Sequence, residues 1–168
     1  HLPVQSGSDA VLRAMRRRYR SEGVRQAARL LRSCQEDPFL AADLIVGFPG
    51  ESEADFQATR ALVEELGFSR LHVFAFSPRP GTAAVAFRPR VAERVRDRRS
   101  AELIGLSAAL YERYVARWTG REVQVLLESA CPPPEAPGPG RCWQGLSGNY
   151  LRVAVAGLGA EAARQGGL

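Results

Sequence analysis

The sequence contains no lysine, so all 23 of its basic residues are arginine. These arginines are concentrated: eight fall within residues 13–32 against a single Glu22, and seven within residues 79–99 against Glu93 and Asp97. Arginine patches favour polyanions through counterion release, and guanidinium adds bidentate phosphate contacts and stacking on bases that lysine does not supply. The composition therefore favours a nucleic-acid partner, although solvated helix faces in a protein with arginine-biased codon usage would carry the same charges.

Cysteine is scarce as well. Cys34, Cys131 and Cys142 stand far apart, with no C-x-x-C spacing between any two of them. Zinc and iron–sulfur sites built on one loop need closely spaced thiolates, so a complete site of this kind is excluded. Each cysteine is predicted to be a small buried or incidental thiol, and no metal-binding residue is predicted.

Long apolar runs are also missing, since no window approaches the roughly 20 residues that cross a bilayer. The chain begins with His1 rather than Met, and no signal-peptide pattern precedes the apolar LPV that follows. We therefore expect a piece of a larger protein that is cytoplasmic, monomeric and without a membrane partner. Its 168 residues and 45% hydrophobic content suit one medium domain or slightly more.

The first half alternates short apolar runs with helical patterns. Strands are predicted at residues 1–5, 40–48 and 71–76, and helices from the cap Ser8 to about Arg18, over 21–34 with Ser21 as cap, and from Ser52 to Gly67. This order implies right-handed crossovers and a parallel sheet. The active sites of such sheets lie at the carboxyl ends of the strands, where Gln5, residues 47–51 and residues 76–82 are expected.

The second half has a different composition. Residues 91–118 have the apolar spacing of a long amphipathic helix, with Leu103, Leu106 and Leu110 on one side. Strands are predicted at residues 122–128 and 149–156, on either side of a proline-rich stretch that is a stiff linker or a long hairpin loop. A small all-β module is therefore expected from residue 119 onward, and it lacks a third strand of clear pattern.

Three segments resemble motifs of the methylthiotransferase branch of the radical-SAM superfamily. They are HLPVQSGSD at residues 1–9, DLIVGFPGE at 43–51, and HVF followed by SPRPGT within 72–82. The third segment is most similar to the MtaB group, which acts on threonylcarbamoyladenosine in tRNA. The MiaB group acts on isopentenyladenosine in tRNA and the RimO group on a ribosomal-protein aspartate, so these substrates remain alternatives.

The resemblance implies an α/β fold in three parts. Residues 1–90 would be the last part of a partial (β/α) radical-SAM barrel, and residues 91–118 the connecting helix. Residues 119–168 resemble a TRAM domain, a small RNA-binding β-barrel, through GREV at 120–123 and GLSGNYLRV at 145–153. This TRAM-like module is expected to be incomplete.

The resemblance also implies the chemistry of the intact enzyme. The members of the family that modify tRNA use S-adenosyl-L-methionine (SAM), two 4Fe–4S clusters and an electron donor to add a methylthio group to the adenine ring of a nucleoside. None of the cluster-binding cysteines is present here, so no catalytic residue is predicted and the isolated chain is expected to be inactive. The competing hypotheses are an RNA-binding recognition module without activity of its own and an inert fragment.

Candidate site residues follow from the motifs and the charge pattern. Six are predicted to contact SAM: Gln5, Ser6, Ile45, Val46, Gly47 and Phe76. Core packing is the alternative for Ile45 and Val46, and a helix-capping turn for Gln5 and Ser6. Seven are predicted to bind RNA or substrate: Arg17, Arg18, Tyr19, Arg20, Arg79, Arg121 and Arg152. Glu51 is expected to start a helix, with a bond to the cofactor as the alternative, and His72 to be a core histidine rather than a catalyst.

Overall fold

The computed structural model describes residues 1–131 and 142–157. The chain divides into two compact units between Arg117 and Trp118. Most of the proline-rich stretch and residues 158–168 lie outside the described residues, so the predictions of a linker and of missing last strands remain predictions. No helix in the described ranges is long and apolar enough to cross a membrane.

The first unit is built on a three-stranded parallel sheet. Its strands β1 (Leu2–Gln5), β2 (Ala41–Val46) and β3 (Arg70–Ala75) lie in that order, as the alternation of strands and helices predicted. The run AADLIV of β2 is central, and its residues pair in register with β3, for example Asp43 with His72. The sequence thus predicts the parallel sheet correctly, while the partial (β/α) barrel of which it would be the last part remains a prediction.

Helices cover one face of this sheet. The long helices are α2 (Ser21–Cys34), α3 (Glu53–Leu66) and α4 (Glu93–Ala116), and the core between helices and sheet includes Leu44, Phe56 and Leu103, all with no exposed surface. On the opposite face of the sheet the side chain of Phe74 is 54% exposed. Because parallel sheets are normally covered on both faces, this uncovered face is the unusual surface of the unit.

The first three helices begin and end at the residues that the sequence predicted, with two exceptions. Ser52 and Asp55 form a capping box at the start of α3, and Ser8 caps α1 (Asp9–Ala14), as predicted. The prediction that Ser21 caps α2 is wrong, because Arg20 holds the cap position and the Ser21 amide donates instead to Asp9. The prediction that the first helix reaches Arg18 is also wrong, since Arg16 has a φ of 57°, which ends the helix.

The long helix α4 packs on the sheet. It buries Leu103, Leu110 and Tyr114, and the Ser107 hydroxyl accepts a hydrogen bond from the Leu71 amide of β3 at 2.9 Å. A short 3₁₀ helix at Ala83–Ala86 precedes it. The helix expected at residues 91–118 is thus an integral layer of the first unit.

The second unit contains an antiparallel sheet in the order β4 (Val125–Ala130), β5 (Cys142–Ser147) and β6 (Arg152–Ala156). The sequence predicted β4 and β6 approximately and missed β5. Gly145 interrupts the apolar pattern of β5, and this glycine lies so close to the Leu126 backbone that a side chain would collide with it. The prediction that Cys131 and Cys142 are isolated thiols is wrong, because a disulfide joins them.

Candidate functional site

A cavity of about 540 Å³ lies on the uncovered face of the parallel sheet, toward the carboxyl ends of its strands. This is the edge where parallel α/β sheets place their ligands. Its walls come from all three strands, from the turn after α1 and from the segment that follows β3. The lining residues include Gln5, Arg17, Asp43, Ile45, Phe76 and Arg79.

A smaller cavity of about 220 Å³ shares Arg17, Ile45, Phe76 and Ala84 with the first one. Phe48 lines it, and the ring centroid of Phe48 lies 5.2 Å from that of Phe76 in an edge-to-face contact. The two cavities are therefore neighbours that share a wall with the aromatic ring of Phe76 and the guanidinium of Arg17. Cavities lined in this way suit a ligand with an apolar ring and charged groups.

The structure brings together three of the six residues predicted to contact SAM. Gln5, Ile45 and Phe76 all line the larger cavity. Gln5 is mostly buried and has a φ of 65°, an unusual conformation for glutamine at the end of a strand. Ile45 lies on the uncovered face because alternate strand residues point to opposite sides.

The other three predicted residues, Ser6, Val46 and Gly47, face the interior and do not line the cavity, so their contact with SAM stays a prediction. Ser6 has no exposed surface, and its hydroxyl lies 3.1 Å from the Thr59 hydroxyl and accepts from the Ser8 amide, so it fastens β1 to α3. Val46 belongs to the core. Gly47 turns away from the cavity toward α4, where a Cβ would lie 2.5 Å from Cγ of Arg96.

Among the residues predicted to bind RNA, Arg17 and Arg79 line the larger cavity and are exposed. Arg18 is exposed beside them. Arg20 instead donates to the carbonyl oxygens of Arg17 and Tyr19, at 3.1 and 2.9 Å, so its guanidinium braces its own turn. The structure therefore leaves Arg17 and Arg79 as the cations placed best for a ligand in the cavity.

Tyr19 does not line the larger cavity, and its stacking on a base stays a prediction. Its ring packs against the core and lines a separate apolar cavity of about 250 Å³ with Leu2 and Val24. Its hydroxyl donates to the Pro3 carbonyl, and burial raises the pKa of Tyr19 above its ordinary value. The local sequence shows a tyrosine among arginines. It does not show that the tyrosine ring packs against strand β1.

Two predicted arginines belong to the second unit. The guanidinium of Arg121 lies 5.2 Å from the centre of the Trp118 ring, a cation–π contact within that unit. Arg152 is exposed at the start of β6, opposite Leu146. Arg141, which would complete a basic face with them, lies outside the described residues.

A buried ion pair next to the site was not predicted. Glu51 and Arg99 are almost fully buried, and Oε2 of Glu51 accepts from Nη1 of Arg99 at 2.7 Å and from the Gly47 amide at 2.8 Å. Burial raises the pKa of Glu51 above its ordinary value, against the opposing effects of the Gly47 amide and of Arg99. The prediction that Glu51 starts a helix is wrong, because α3 begins at Glu53. Glu51 instead connects the turn after β2 to α4 through Arg99. The local sequence does not reveal this role, because Arg99 is 48 residues away.

The prediction that His72 is a core histidine is also wrong. His72 is exposed on the uncovered face, and its ring centroid lies 4.8 Å from that of His1. The alternation of β3 explains the placement, since Leu71 and Val73 take the core side of the strand.

The cysteines do not fit an iron–sulfur cluster. Cys131 and Cys142 are joined to each other, and Cys34 is exposed on its own. Such clusters take several thiolate ligands from one protein site. SAM fits better, because the larger cavity combines the apolar side chains of Ile45 and Phe76 with the polar amide of Gln5.

Comparison with known proteins supplies the family. No family model matches the chain. The protein named threonylcarbamoyladenosine tRNA methylthiotransferase MtaB of Treponema pallidum (strain Nichols) is 42% identical over 166 residues, which are 99% of this chain and 32% of that protein. Proteins named tRNA-2-methylthio-N(6)-dimethylallyladenosine synthase are also similar. Those of Bifidobacterium adolescentis and Thermus thermophilus are each 42% identical, over 77% and 76% of this chain and 27% of their own length.

The chain thus spans about a third of the length of the curated relatives it matches, or somewhat less. The identity is the same, 42%, to the Treponema protein and to the two synthases, while the aligned length is greater for the Treponema protein. The resemblance seen in the motifs is confirmed: this chain is a homologue of part of the MtaB- and MiaB-type methylthiotransferases.

Proposed function

We propose that this chain is part of a tRNA-modifying enzyme that adds a methylthio group to the adenine ring of threonylcarbamoyladenosine, next to the anticodon, by radical-SAM chemistry. The observation that carries the proposal is the 42% identity to the Treponema MtaB protein over 99% of the chain. The cavity at the carboxyl ends of the strands supports it, since this is where a parallel α/β fold holds its ligands.

In this proposal the larger cavity holds SAM, which when bound supplies the adenosyl group for radical initiation and the methyl group for transfer. Ile45 and Phe76 pack against the apolar part of the ligand and exclude water from it, and the Gln5 amide orients its polar part. Arg17 and Arg79, on the same cavity, bind phosphates of the tRNA and hold the modified nucleoside near the ligand.

The 4Fe–4S clusters and the electron donor belong to the rest of the intact enzyme in this proposal, because the three cysteines here do not fit a cluster. The isolated chain is therefore expected to show no turnover. Residues 1–90 would serve as the end of the catalytic barrel, residues 91–118 as the connecting helix and residues 119–168 as the TRAM-like RNA-binding module. The tRNA substrates in the names of the relatives support the cytoplasm as the compartment.

The test is anaerobic incubation of the intact enzyme, reconstituted with clusters, SAM, sulfide and unmodified tRNA, followed by mass spectrometry of the nucleosides. Methylthio-threonylcarbamoyladenosine is the expected product. Methylthio-isopentenyladenosine would instead assign the chain to the synthase group, and the absence of any tRNA product would overturn the proposal.

A second experiment distinguishes a chain that binds SAM as part of a catalytic site from a module that only recognises RNA, which is the alternative that the exposed arginines favour. The chain itself is titrated with SAM and with tRNA, alongside the variant Phe76→Ala and the control Phe87→Ala, which changes only the smaller cavity. SAM binding that Phe76→Ala weakens by about tenfold, the loss of one buried aromatic contact, supports the proposed pocket. Binding of tRNA without SAM would favour a recognition module.

A further inference from the structure

Three side chains that commonly bind transition metals meet on the uncovered face of the parallel sheet. They are His1, directly before β1, Asp43 in β2 and His72 in β3. One ligand atom from each lies within 4.8 Å of the others. Two of the side chains therefore come from the adjacent strands β2 and β3. The third comes from the residue directly before β1, the strand on the other side of β2.

The sheet itself fixes this arrangement. Asp43 and His72 are direct partners in the β2–β3 register, so the two side chains leave the same face of adjacent strands. Nε2 of His1 lies 3.4 Å from Oδ1 of Asp43 on the other side. Ligands at about 2.1 Å from a tetrahedral zinc ion lie about 3.4 Å from one another, so the His1–Asp43 separation already matches a shared ion.

An ordinary ion pair accounts for only part of this cluster. The contact between His1 and Asp43 does not include His72. His72 nevertheless lies against His1, with ring centroids 4.8 Å apart at an interplanar angle of 65°. A shared cation would account for the convergence of all three side chains.

We propose that His1, Asp43 and His72 together bind one divalent transition-metal ion of the Zn²⁺ class. Two imidazoles with one carboxylate are a ligand set of zinc and of non-haem iron sites that keep a coordination position open. Asp43 also lines the larger cavity, so an open position would be reached from the same space as Gln5 and Arg79. Water or a nitrogen or oxygen atom of a molecule in that cavity would complete the coordination.

The test uses the full chain with two residues added before His1, so that the α-amino group is not an extra ligand. The metal-free protein is titrated with Co²⁺, whose visible absorption reports coordination by nitrogen and oxygen, and Zn²⁺ is then added in competition. The chain has only two histidines, so any imidazole signal comes from this cluster. We expect one equivalent of Co²⁺ to bind and Zn²⁺ to displace it.

Variants decide whether these residues are the ligands. Asp43→Asn and His72→Gln should each weaken Co²⁺ binding by more than about tenfold, since even residues that only support a ligand contribute 10- to 100-fold. Both positions are on the uncovered face, so the urea midpoints should stay near that of the parent chain. The control Cys34→Ser removes the exposed free thiol and should leave binding unchanged. Binding that survives Asp43→Asn and His72→Gln, or that disappears with Cys34→Ser, would overturn the proposal, as would no Co²⁺ binding by the parent chain.

Discussion

The buried charges of Glu51 and Arg99 show how single residues shape the edge of the candidate site. Glu51 accepts from Arg99 and from the Gly47 amide, and Arg99 also donates to the backbone oxygen of Glu51 at 3.2 Å. A buried charge that loses its partner retains its desolvation penalty, so such pairs are sensitive to one-sided substitution. The turn after β2 therefore depends on a residue of α4.

Arg99→Met should lower the free energy of unfolding by about 3–5 kcal/mol, because it leaves the Glu51 carboxylate buried without a counter-charge. The double variant Arg99→Met with Glu51→Gln should be more stable than Arg99→Met alone, since glutamine still accepts from the Gly47 amide. Urea denaturation measures both.

The neighbouring Arg98→Met is the matched control. Arg98 pairs with Glu53 in solvent, and exposed pairs contribute about 0–1 kcal/mol. A cost for Arg98→Met equal to that of Arg99→Met, or a double variant that is the least stable of the set, would contradict the argument.

Asp55 makes the stability of the chain depend on pH in the acidic range. Burial raises the pKa of Asp55, but hydrogen bonds from Ser52 and Ser8 outweigh burial and hold it below its ordinary value. A lowered folded-state pKa contributes stability above the unfolded value of about 3.9, and that contribution is lost as the pH falls through the folded value.

Asp55→Asn should therefore cost about 1 kcal/mol at pH 7, the size of a capping interaction, and progressively less below about pH 4. Urea denaturation at a series of pH values measures the difference between parent and variant. Asp97→Asn, at an exposed aspartate paired with Arg96, is the control and should cost only about 0–1 kcal/mol at pH 7. A difference for Asp55→Asn that stays constant from pH 7 to pH 3 would refute the role of this carboxylate.

At the scale of elements, local sequence chemistry predicted much of the first unit. Alternating strands and helices, the Ser8 and Ser52 caps and the stop at Gly67 all follow from short-range rules, and the structure has them. The missed features have two causes. Strand β5 has a glycine that only the approach of β4 explains, and α1 ends early because Arg16 takes a positive φ, which its residue type does not predict.

The turn between β2 and α3 can be tested by its glycines. Gly47→Ala should destabilise the chain by more than the roughly 1–2 kcal/mol of a left-handed backbone, because its φ is 75° and its Cβ would collide with Arg96. Gly50→Ala, with a φ of 86° and no atom within 4 Å, should show the backbone cost alone.

Adding Arg96→Ala to Gly47→Ala should recover the steric part of the loss and not the backbone part. Thermal unfolding of the three variants separates the two contributions. Equal losses for Gly47→Ala and Gly50→Ala would mean that the approach of α4 to this turn does not constrain it.

At the scale of the whole molecule, the net charge of +5 and the arginine clusters favour the binding of RNA. Of the residues expected at the carboxyl ends of the strands, Gln5, Phe76 and Arg79 line one cavity, whereas residues 47–51 do not. The sequence did not show that Ser6, Tyr19 and Gly47 face away from this cavity, because their environments are set by Thr59, Pro3 and Arg96, which are distant in sequence. The sequence shows which residues are cationic, but only the tertiary structure shows which of these side chains face a cavity.

Arg17→Gln and Arg79→Gln should each weaken the binding of unmodified tRNA to the full chain and reduce the slope of log affinity against log salt by about 1, the contribution of one phosphate contact. Filter binding at several salt concentrations measures this slope. Arg29→Gln is the control, because this exposed arginine of α2 is already paired with Glu22. An unchanged slope for the two cavity variants, or an equal change for Arg29→Gln, would exclude the cavity rim as an RNA contact.

Strand β2 assigns folding and ligand binding to alternate residues. Ala42, Leu44 and Val46 lie in the core, while Asp43 and Ile45 line the cavity. Point substitutions can therefore diversify the cavity over evolutionary time while the core stays intact. An insertion or deletion of one residue within β2 would exchange the two sets, so that core and cavity would be lost in a single mutational event.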